Sequence, residues 1–416
     1  MRGSFASLAI RNYAILWTGS LATFTAFFMS TVVQAIVAFE LTGKNGSVGL
    51  VLLGQGISMA VLGPFGGAFA DRASKRLISV ISAIVITGVF LVIGILLATD
   101  RIVLFHLVAG AFVIGMMFAF MGPARQAWVV ELVGEDLRAN AVALNQVALN
   151  AARIWAPAIG GLLVAITVVG PAGAYFLMAV LYGLSALSLG LLPPSRPSQN
   201  AGGRSVLGDM ADGISYVRSQ PRLRWMLTLF FAMIVLGLAP TAVVLPGLLE
   251  NELGEDVDKF GILQTVSAVG GLAASLAVAG IASSPRALAV YTAGALLTGA
   301  ALILTGLSPN LAILFVPMFL TGLGTGAFQT LNSAVIVVES EPAYYGRVTS
   351  LTGLAFAGFM LAGYPVGLAA DAFGERPTLI VLGAVTIVLV LIIAPIIARA
   401  EPTRRYVPEP VAAAGD

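Results

Sequence analysis

The sequence has no cysteine and only one histidine, His106, among its 416 residues. This absence excludes disulfide bonds, thiolate metal sites and cysteine nucleophiles, and it argues against a zinc site or a catalytic triad built on histidine. Charged residues are scarce at 10%, and the net charge of +2 is too small to hold a nucleic acid. No stretch matches the phosphate-binding loop of an ATPase. We therefore expect no metal, no cofactor, no nucleic-acid partner and no enzyme activity.

Apolar residues are present in excess, at 58% of the chain, with a mean hydropathy of +0.98. A soluble globule of this length cannot bury so much apolar surface. Twelve apolar runs are long enough to cross a bilayer as helices, so the sequence predicts an all-α membrane protein with 12 transmembrane helices. The first run is too long for the core of a signal peptide and should stay in the mature protein. The runs lie near residues 12–39, 47–70, 77–98, 102–122, 140–167, 172–193, 225–248, 260–282, 287–307, 311–337, 348–370 and 378–398.

The basic residues predict the orientation of these helices. With the N-terminus inside, 17 of the 22 lysines and arginines fall in inner segments, and Arg153 lies within a span. The outer segments then hold only Lys44, Arg101, Lys259 and Arg376. Because cytoplasmic loops carry the excess of Lys and Arg, we expect a multi-pass protein of the inner (plasma) membrane with both termini in the cytoplasm.

The two halves of the chain repeat. Ala119-Phe120 recurs as Ala327-Phe328, and Glu131 and Pro157 recur as Glu339 and Pro365, all at an offset of 208. This repeat predicts two pseudo-symmetric six-helix bundles, at 1–193 and 225–399, followed by a cytoplasmic tail at 400–416.

A polar linker, 194–224, separates the two predicted bundles. Within it Leu207, Met210, Ile214 and Val217 share one helical face, which predicts an amphipathic helix on the inner membrane surface. A linker without a helix is the alternative.

The loop after the second span reads Gly67-Ala-Phe-Ala-Asp71-Arg72-Ala-Ser-Lys75-Arg76. It resembles the G-x-x-x-D-R-x-x-R/K-R/K signature of the major facilitator superfamily. The aspartate can accept hydrogen bonds at a neighbouring helix N-terminus, and the basic residues can pair with acidic groups on the other bundle. The alternative is a loop that only fixes the orientation. The candidate gating residues are Gly67, Asp71, Arg72, Arg76, Glu131, Glu339 and Arg347.

The fifth span carries a second resemblance. It resembles the antiporter motif G-x-x-x-G-P-x-x-G-G of exporters in this superfamily, with Ala152 and Ala156 in place of the first two glycines, followed by Pro157, Gly160 and Gly161. In that family the motif is associated with export against a proton gradient. A kinked packing face is the alternative, since proline bends a spanning helix and small residues let helices approach closely.

A finer resemblance covers most of the chain. Pro123-Ala-Arg125-Gln126-Ala, Tyr345-Gly346-Arg347-Val348 and Gly367-Leu-Ala-Ala-Asp371 resemble the transmembrane secretion effector branch, which is similar to the enterobactin exporter and to macrolide efflux pumps. The resemblance implies export of a small molecule, such as a drug, macrolide or siderophore-like metabolite. We expect the two bundles to work by alternating access, with protons as the coupling ion. Because both halves of the pathway are joined in one chain, we expect a monomer. The alternatives are a nutrient importer, a translocator of lysolipid or lipid-linked cargo, and a receptor.

Polar residues within the spans are the candidates for substrate binding. Gln146, Asn150, Arg153 and Pro157 share one helical face. Arg153 is predicted to be the one formal charge deep in any span, and its cost in hydrocarbon predicts that it faces the bundle interior or a wet cavity. It either binds an anionic or carbonyl-rich substrate or clamps backbone carbonyls. Further candidates, which could instead be hydrogen bonds between helices, are Gln34, Gln55, Gln264, Gln329 and Asn332.

Three titratable residues are candidates for proton coupling: Glu40, His106 and Asp371, each near the predicted outer end of a span. Glu40 is the first candidate, because burial favours the protonated form of a carboxyl group. The alternatives are solvated charges at the membrane rim, coupling through Asp71, or uncoupled transport.

Overall fold

The computed structural model describes residues 5–195, 206–281, 284, 286–341 and 344–400. Twelve helices within these residues are long and apolar enough to cross a membrane, and the described chain contains no strand. The predicted all-α membrane fold with 12 transmembrane helices is therefore confirmed. Of the predicted tail, all residues after Ala400 lie outside the described part.

The helices form two groups of six, with a short helix between them. The first group is α1 (Arg11–Glu40), α2 (Asn45–Arg72), α3 (Lys75–Ala98), α4 (Leu104–Val133), α5 (Arg138–Ala165) and α6 (Gly170–Gly190). The short helix is α7 (Val206–Ser219). The second group is α8 (Pro221–Glu252), α9 (Val257–Ile281), α10 (Ala287–Leu307), α11 (Leu311–Glu339), α12 (Tyr345–Phe373) and α13 (Glu375–Arg399).

Two predicted boundaries were wrong. The fourth helix continues through Pro123 to Val133, whereas the prediction ended at 122. A proline within a spanning helix is tolerated where neighbouring helices hold it, and α4 ends only at Gly134, whose φ of 74° suits glycine. The seventh span begins at Pro221 rather than near 225. Proline suits the first turn of a helix, since its missing N–H has no partner there anyway.

The two groups of helices pack in equivalent ways, which establishes the pseudo-symmetry. In the N-terminal bundle α2 packs on α4 and α3 on α6, and in the C-terminal bundle α9 packs on α11 and α10 on α13. Close approaches recur in the equivalent pairs. A Cβ on Gly66 would lie 1.9 Å from the carbonyl oxygen of Ala119, and a Cβ on Gly322 would lie 1.9 Å from that of Ser267. Both helix pairs therefore require glycine at the crossing.

Among the described residues, the two bundles share an apolar core at one end of the helices. We call the side on which α1 begins and α13 ends the terminal side, and the opposite side the distal side. On the distal side one apolar core includes residues of both bundles, among them Phe39, Val48, Leu249 and Phe260. On the terminal side each bundle has its own core, around Trp128 in one and around Phe328 in the other. The distal side is thus closed, whereas the described residues of the two bundles form separate cores on the terminal side.

The linker helix α7 docks on the C-terminal bundle. The rings of Tyr216 and Tyr344 stack with their centroids 4.1 Å apart, and the Tyr216 hydroxyl accepts a hydrogen bond from the backbone N–H of Glu341 at 3.0 Å. Burial, more than nearby charges, raises the pKa of Tyr216 above its ordinary value. Of the predicted apolar face, Val217 is buried but Ile214 is exposed, and the side chain of Leu207 lies outside the described set. The face of α7 that packs on the C-terminal bundle is therefore centred on Tyr216.

Candidate transport site

The polar face of α5 combines exposure with a charge midway along a span. Gln146 and Arg153 are exposed, and the Gln146 amide Nε2 lies 3.4 Å from Asn150 Oδ1. The Arg153 guanidinium lies 5.4 Å from the centre of the Phe28 ring, within the range of a cation–π contact. Arg153 is exposed midway along α5, a helix that packs on α1 and α9. A charge exposed at this depth requires water or a ligand to solvate it.

A second arginine within a span is a correction to the sequence-based prediction. Because α4 extends past Pro123, Arg125 also lies in a spanning helix, so Arg153 is not the one formal charge there. The Arg125 side chain is buried, and its Nη2 donates to Ser185 Oγ at 3.0 Å, whereas Nε and Nη1 have no hydrogen-bond partner. Arg125 therefore lies sealed inside the N-terminal bundle. A predicted fourth span that continued past Pro123 would have included Arg125.

The other polar candidates divide by burial. Gln34, Gln55 and Asn332 are buried, which does not favour the predicted contact with a substrate. Gln55 packs against α4, where a Cβ on Gly115 would lie 3.0 Å from its Cγ. Gln264 and Gln329 are half-buried on α9 and α11 of the C-terminal bundle. Besides the residues of the α5 face, these two candidates are partly exposed and could contact a substrate.

The residues of the antiporter-like motif form a junction between the bundles. A Cβ on Gly161 would lie 2.5 Å from the carbonyl oxygen of Asp258, and one on Gly261 would lie 2.4 Å from that of Pro157. Next to this crossing the Thr265 hydroxyl donates to the carbonyl of Ile154 at 2.8 Å. The remaining motif residues face α1 and the bundle interior: Gly160 approaches Met29, and Ala152 and Ala156 are fully buried.

Lys75 and Arg76, which follow α2, make contacts within the N-terminal bundle. Lys75 Nζ lies 2.8 Å from Glu131 Oε2. Glu131 belongs to α4, so this ion pair lies within the N-terminal bundle, whereas the prediction had the basic residues pairing with Glu131 or Glu339 across the bundles. The Arg76 guanidinium donates to the carbonyl of Gly190 at the end of α6. The surroundings of Gly67 and the side chains of Asp71 and Arg72 lie outside the described set.

The candidate gating residues of the C-terminal half also make contacts near the terminal side. Glu339 pairs with Arg222 of α8 at 3.3 Å. Arg347 pairs with Asp212 of α7 at 3.9 Å, and its guanidinium lies 5.3 Å from the Tyr344 ring centre. These contacts connect α7, α8, α11 and α12. They therefore hold helices of the C-terminal half together near the terminal side.

The three candidates for proton coupling have different surroundings. His106 lies in the first turn of α4, where its Nδ1 accepts the backbone N–H of Val103 at 3.3 Å. Glu40, at the distal end of α1, is exposed and lies within electrostatic range of Glu250 and Asp258 on the other bundle.

Asp371 makes the most specific contact of the three. Its carboxylate accepts the backbone N–H groups of Asn45 at 2.7 Å and Gly46 at 2.8 Å, across the bundle interface. Nothing in the local sequence signals this contact, because the partners lie about 325 positions apart.

Two equivalent six-helix bundles, closed together on one side and separating on the other beside an arginine-bearing face, define a membrane transport protein. The model of the Major Facilitator Superfamily matches residues 16–356 and, in a second alignment, 236–414. The chain therefore belongs to this superfamily, as the resemblance implied.

Known proteins are similar over nearly the whole chain. An uncharacterized MFS-type transporter, YfiS of Bacillus subtilis, is 26% identical and covers 86% of this chain and 87% of its own length. Macrolide efflux protein A of Streptococcus pyogenes is 22% identical, covering 88% and 90%. A bacterial homologue of the lysosomal transporter Spinster, solved in an inward-facing, unoccupied conformation, superposes with a TM-score of 0.73 at 16% identity, covering 95% and 97%. The last similarity shows the fold alone.

Proposed function

We propose that this chain exports small organic molecules that carry an anionic or carbonyl-rich group. The observation that carries this proposal is Arg153: a guanidinium on an open helix face, with no ion-pair partner among the described residues. A charge so placed is costly unless water or a ligand solvates it. It attracts a carboxylate or a polarised carbonyl and repels a cationic drug. Gln146 and Asn150 supply hydrogen bonds on the same face.

The direction of transport rests on similarity and on the distribution of charge. The similar macrolide efflux protein favours export, and the excess of basic residues on the terminal side favours a plasma-membrane protein with both termini in the cytoplasm. With that orientation the Arg153 face opens to the cytoplasm. Cargo binds there, the bundles rock about the midplane, and the cargo leaves on the distal side.

Protons are the proposed coupling ion, and the chain is proposed to work as a monomer. The proton proposal is supported by the motif on α5 and by Glu40, which lies near Glu250 and Asp258 of the other bundle. Since both bundles belong to one chain, a single copy holds the whole pathway.

Inside-out vesicles with an imposed proton gradient test the proposal. Uptake is followed for a catecholate siderophore, a macrolide and a cationic dye, in the unmodified protein, Arg153→Gln and Arg153→Lys. We expect gradient-dependent uptake of the anionic compound, a loss of at least tenfold in Arg153→Gln, equal to about 1.4 kcal/mol, and partial retention in Arg153→Lys. A protonophore should abolish the uptake.

Three other outcomes would contradict parts of the proposal. Equal uptake by Arg153→Gln would remove the binding role of Arg153. Selective transport of the cationic dye would contradict the proposal that the cargo carries an anionic or carbonyl-rich group. Accumulation only in right-side-out vesicles would replace export by import.

A further inference from the structure

Helix α2 begins without a cap from its own sequence. The first N–H groups of a helix have no partner within it and need an external acceptor. The residue before the first turn is Lys44, whose side chain accepts no hydrogen bond. A lysine cannot act as an acceptor, and its positive charge is unfavourable beside the positive end of the helix dipole.

The missing acceptor comes from the other bundle. Asp371, in the last turn of α12, accepts the N–H of Asn45 with Oδ1 at 2.7 Å and the N–H of Gly46 with Oδ2 at 2.8 Å. One carboxylate thus satisfies two donors of α2 and lies at the favourable end of its dipole. Hydrogen bonds to an ionised acceptor are stronger than those between neutral groups.

A second carboxylate holds the same residue through its side chain. Glu375, at the start of α13, accepts Nδ2 of Asn45 at 2.9 Å and Nδ2 of Asn251 at 2.8 Å. Asn45 is only 1% exposed, so water does not compete for these bonds. Asn45 is therefore bound through its backbone by Asp371 and through its side chain by Glu375, both in the C-terminal bundle.

These bonds require direct contact of the two backbones. A Cβ on Gly367 would lie 2.5 Å from the carbonyl oxygen of Asn45, and one on Gly49 would lie 2.3 Å from that of Gly363. The aspartate side chain is short, and hydrogen bonds weaken steeply beyond about 3.2 Å. Separation of α2 and α12 by more than about an ångström would therefore break both bonds of Asp371 together. Their free energy belongs to the closed distal side alone, so they bias the equilibrium between closed and open states.

We propose that Asp371, supported by Glu375, locks the distal side by capping the N-terminus of α2 across the bundle interface. We call Asp371, Glu375, Asn45 and Gly46 the distal lock. The lock forms when the distal side closes and breaks when it opens to release cargo. It rests on the alternating access proposed above, and it is independent of the cargo and of the direction of transport.

The absence of cysteine permits a direct test by paired spin labels. Arg101→Cys, between α3 and α4, and Pro309→Cys, between α10 and α11, place labels on exposed distal loops of the two bundles. Pulsed electron resonance then measures the distance between them. Loss of a cap shifts such an equilibrium by about 2- to 30-fold. We expect this increase in the ratio of the long-distance to the short-distance population in Asp371→Ala, and a smaller one in Asp371→Asn, which keeps one acceptor oxygen.

A matched control separates the lock from general destabilisation. Glu252 lies on the same side and pairs with Arg376 at 2.8 Å, but both residues belong to the C-terminal bundle. Glu252→Gln should leave the distances unchanged. Glu375→Gln should shift them in the same direction as Asp371→Asn, and this variant decides the question if the Asp371 variants do not fold.

Unchanged distances in folded Asp371→Ala, or an equal shift in Glu252→Gln, would overturn the distal lock. The labels report the distance without any cargo. A failure of the transport assay alone would therefore count against the proposed function and leave the lock intact.

Discussion

Arg125 and Arg153 are the same residue type in spanning helices, yet they lie in opposite surroundings. Arg153 lies on an exposed face, whereas Arg125 is buried with one hydrogen bond, to Ser185. A buried charge without a counter-ion is costly, so we expect that its replacement by an apolar side chain of similar size does not destabilise the bundle. The two residues therefore call for opposite expectations on substitution.

Removal of the Ser185 hydroxyl should destabilise the N-terminal bundle more than removal of Arg125 itself. Ser185→Ala deprives a buried guanidinium of its acceptor and should cost about 1–3 kcal/mol. Arg125→Met should leave the unfolding temperature unchanged or raise it. Thermal unfolding in detergent measures both, with Ser188→Ala as the control, because its hydroxyl donates only to its own helix. A lower unfolding temperature in Arg125→Met than in Ser185→Ala would show that Arg125 stabilises the bundle.

At the scale of elements, the crossing of α5 and α9 depends on glycine where backbone meets backbone. Any side chain at Gly161 or Gly261 meets a carbonyl oxygen of the other bundle at 2.5 Å or less. Backbone atoms cannot move aside as the end of a flexible side chain can. The motif that resembles an antiporter signature therefore has a clear packing function on the distal side.

Substitution at this crossing should weaken the joined bundles. Gly161→Ala should lower stability by about 1–3 kcal/mol through overpacking, and Gly261→Ala should do the same. Gly122→Ala is the matched control, because a Cβ there meets nothing within 4 Å and alanine is the better helix former. Unfolding temperatures of the three variants check this expectation. A loss in Gly122→Ala equal to that in Gly161→Ala would contradict it.

For the whole molecule, closure on one side makes the α5 face reachable from one side only. The bundles share a core on the distal side and have separate cores on the terminal side. In this arrangement Gln146 is exposed and Gln34 is buried. A reagent that cannot cross the membrane can therefore locate the opening.

Gln146→Cys should react with a membrane-impermeant maleimide in inside-out vesicles and stay unlabelled in intact cells. The physical reason is the closed distal side, together with the proposed cytoplasmic position of the terminal side. Gln34→Cys is the buried control and should stay unlabelled in both preparations. Labelling of Gln146→Cys from outside alone would reverse either the orientation or the side that is open.

Much of this architecture could be predicted from sequence. The thickness of a bilayer sets the length of every span, and the repeat at an offset of 208 residues indicates the symmetry of the two bundles. The α5 face followed likewise from helical periodicity at Gln146, Asn150 and Arg153. The burial of Arg125 could not be predicted, because a proline such as Pro123 usually indicates the end of a helix. Here the helix continues past it because neighbouring helices support it. The buried positions of Gln34 and Gln55 depend on which helices face them, which periodicity does not specify.

The sequence by itself determined the spans, the two bundles and the residues able to carry charge within the membrane, because these depend on hydropathy and spacing along the chain. Tertiary structure alone decided which of them meet. Lys75 pairs with Glu131 inside one bundle, and Asp371 caps Asn45 and Gly46 from the other, at separations of 56 and about 325 positions. Such contacts depend on which helix ends the closed distal side brings together, and no local pattern encodes that choice.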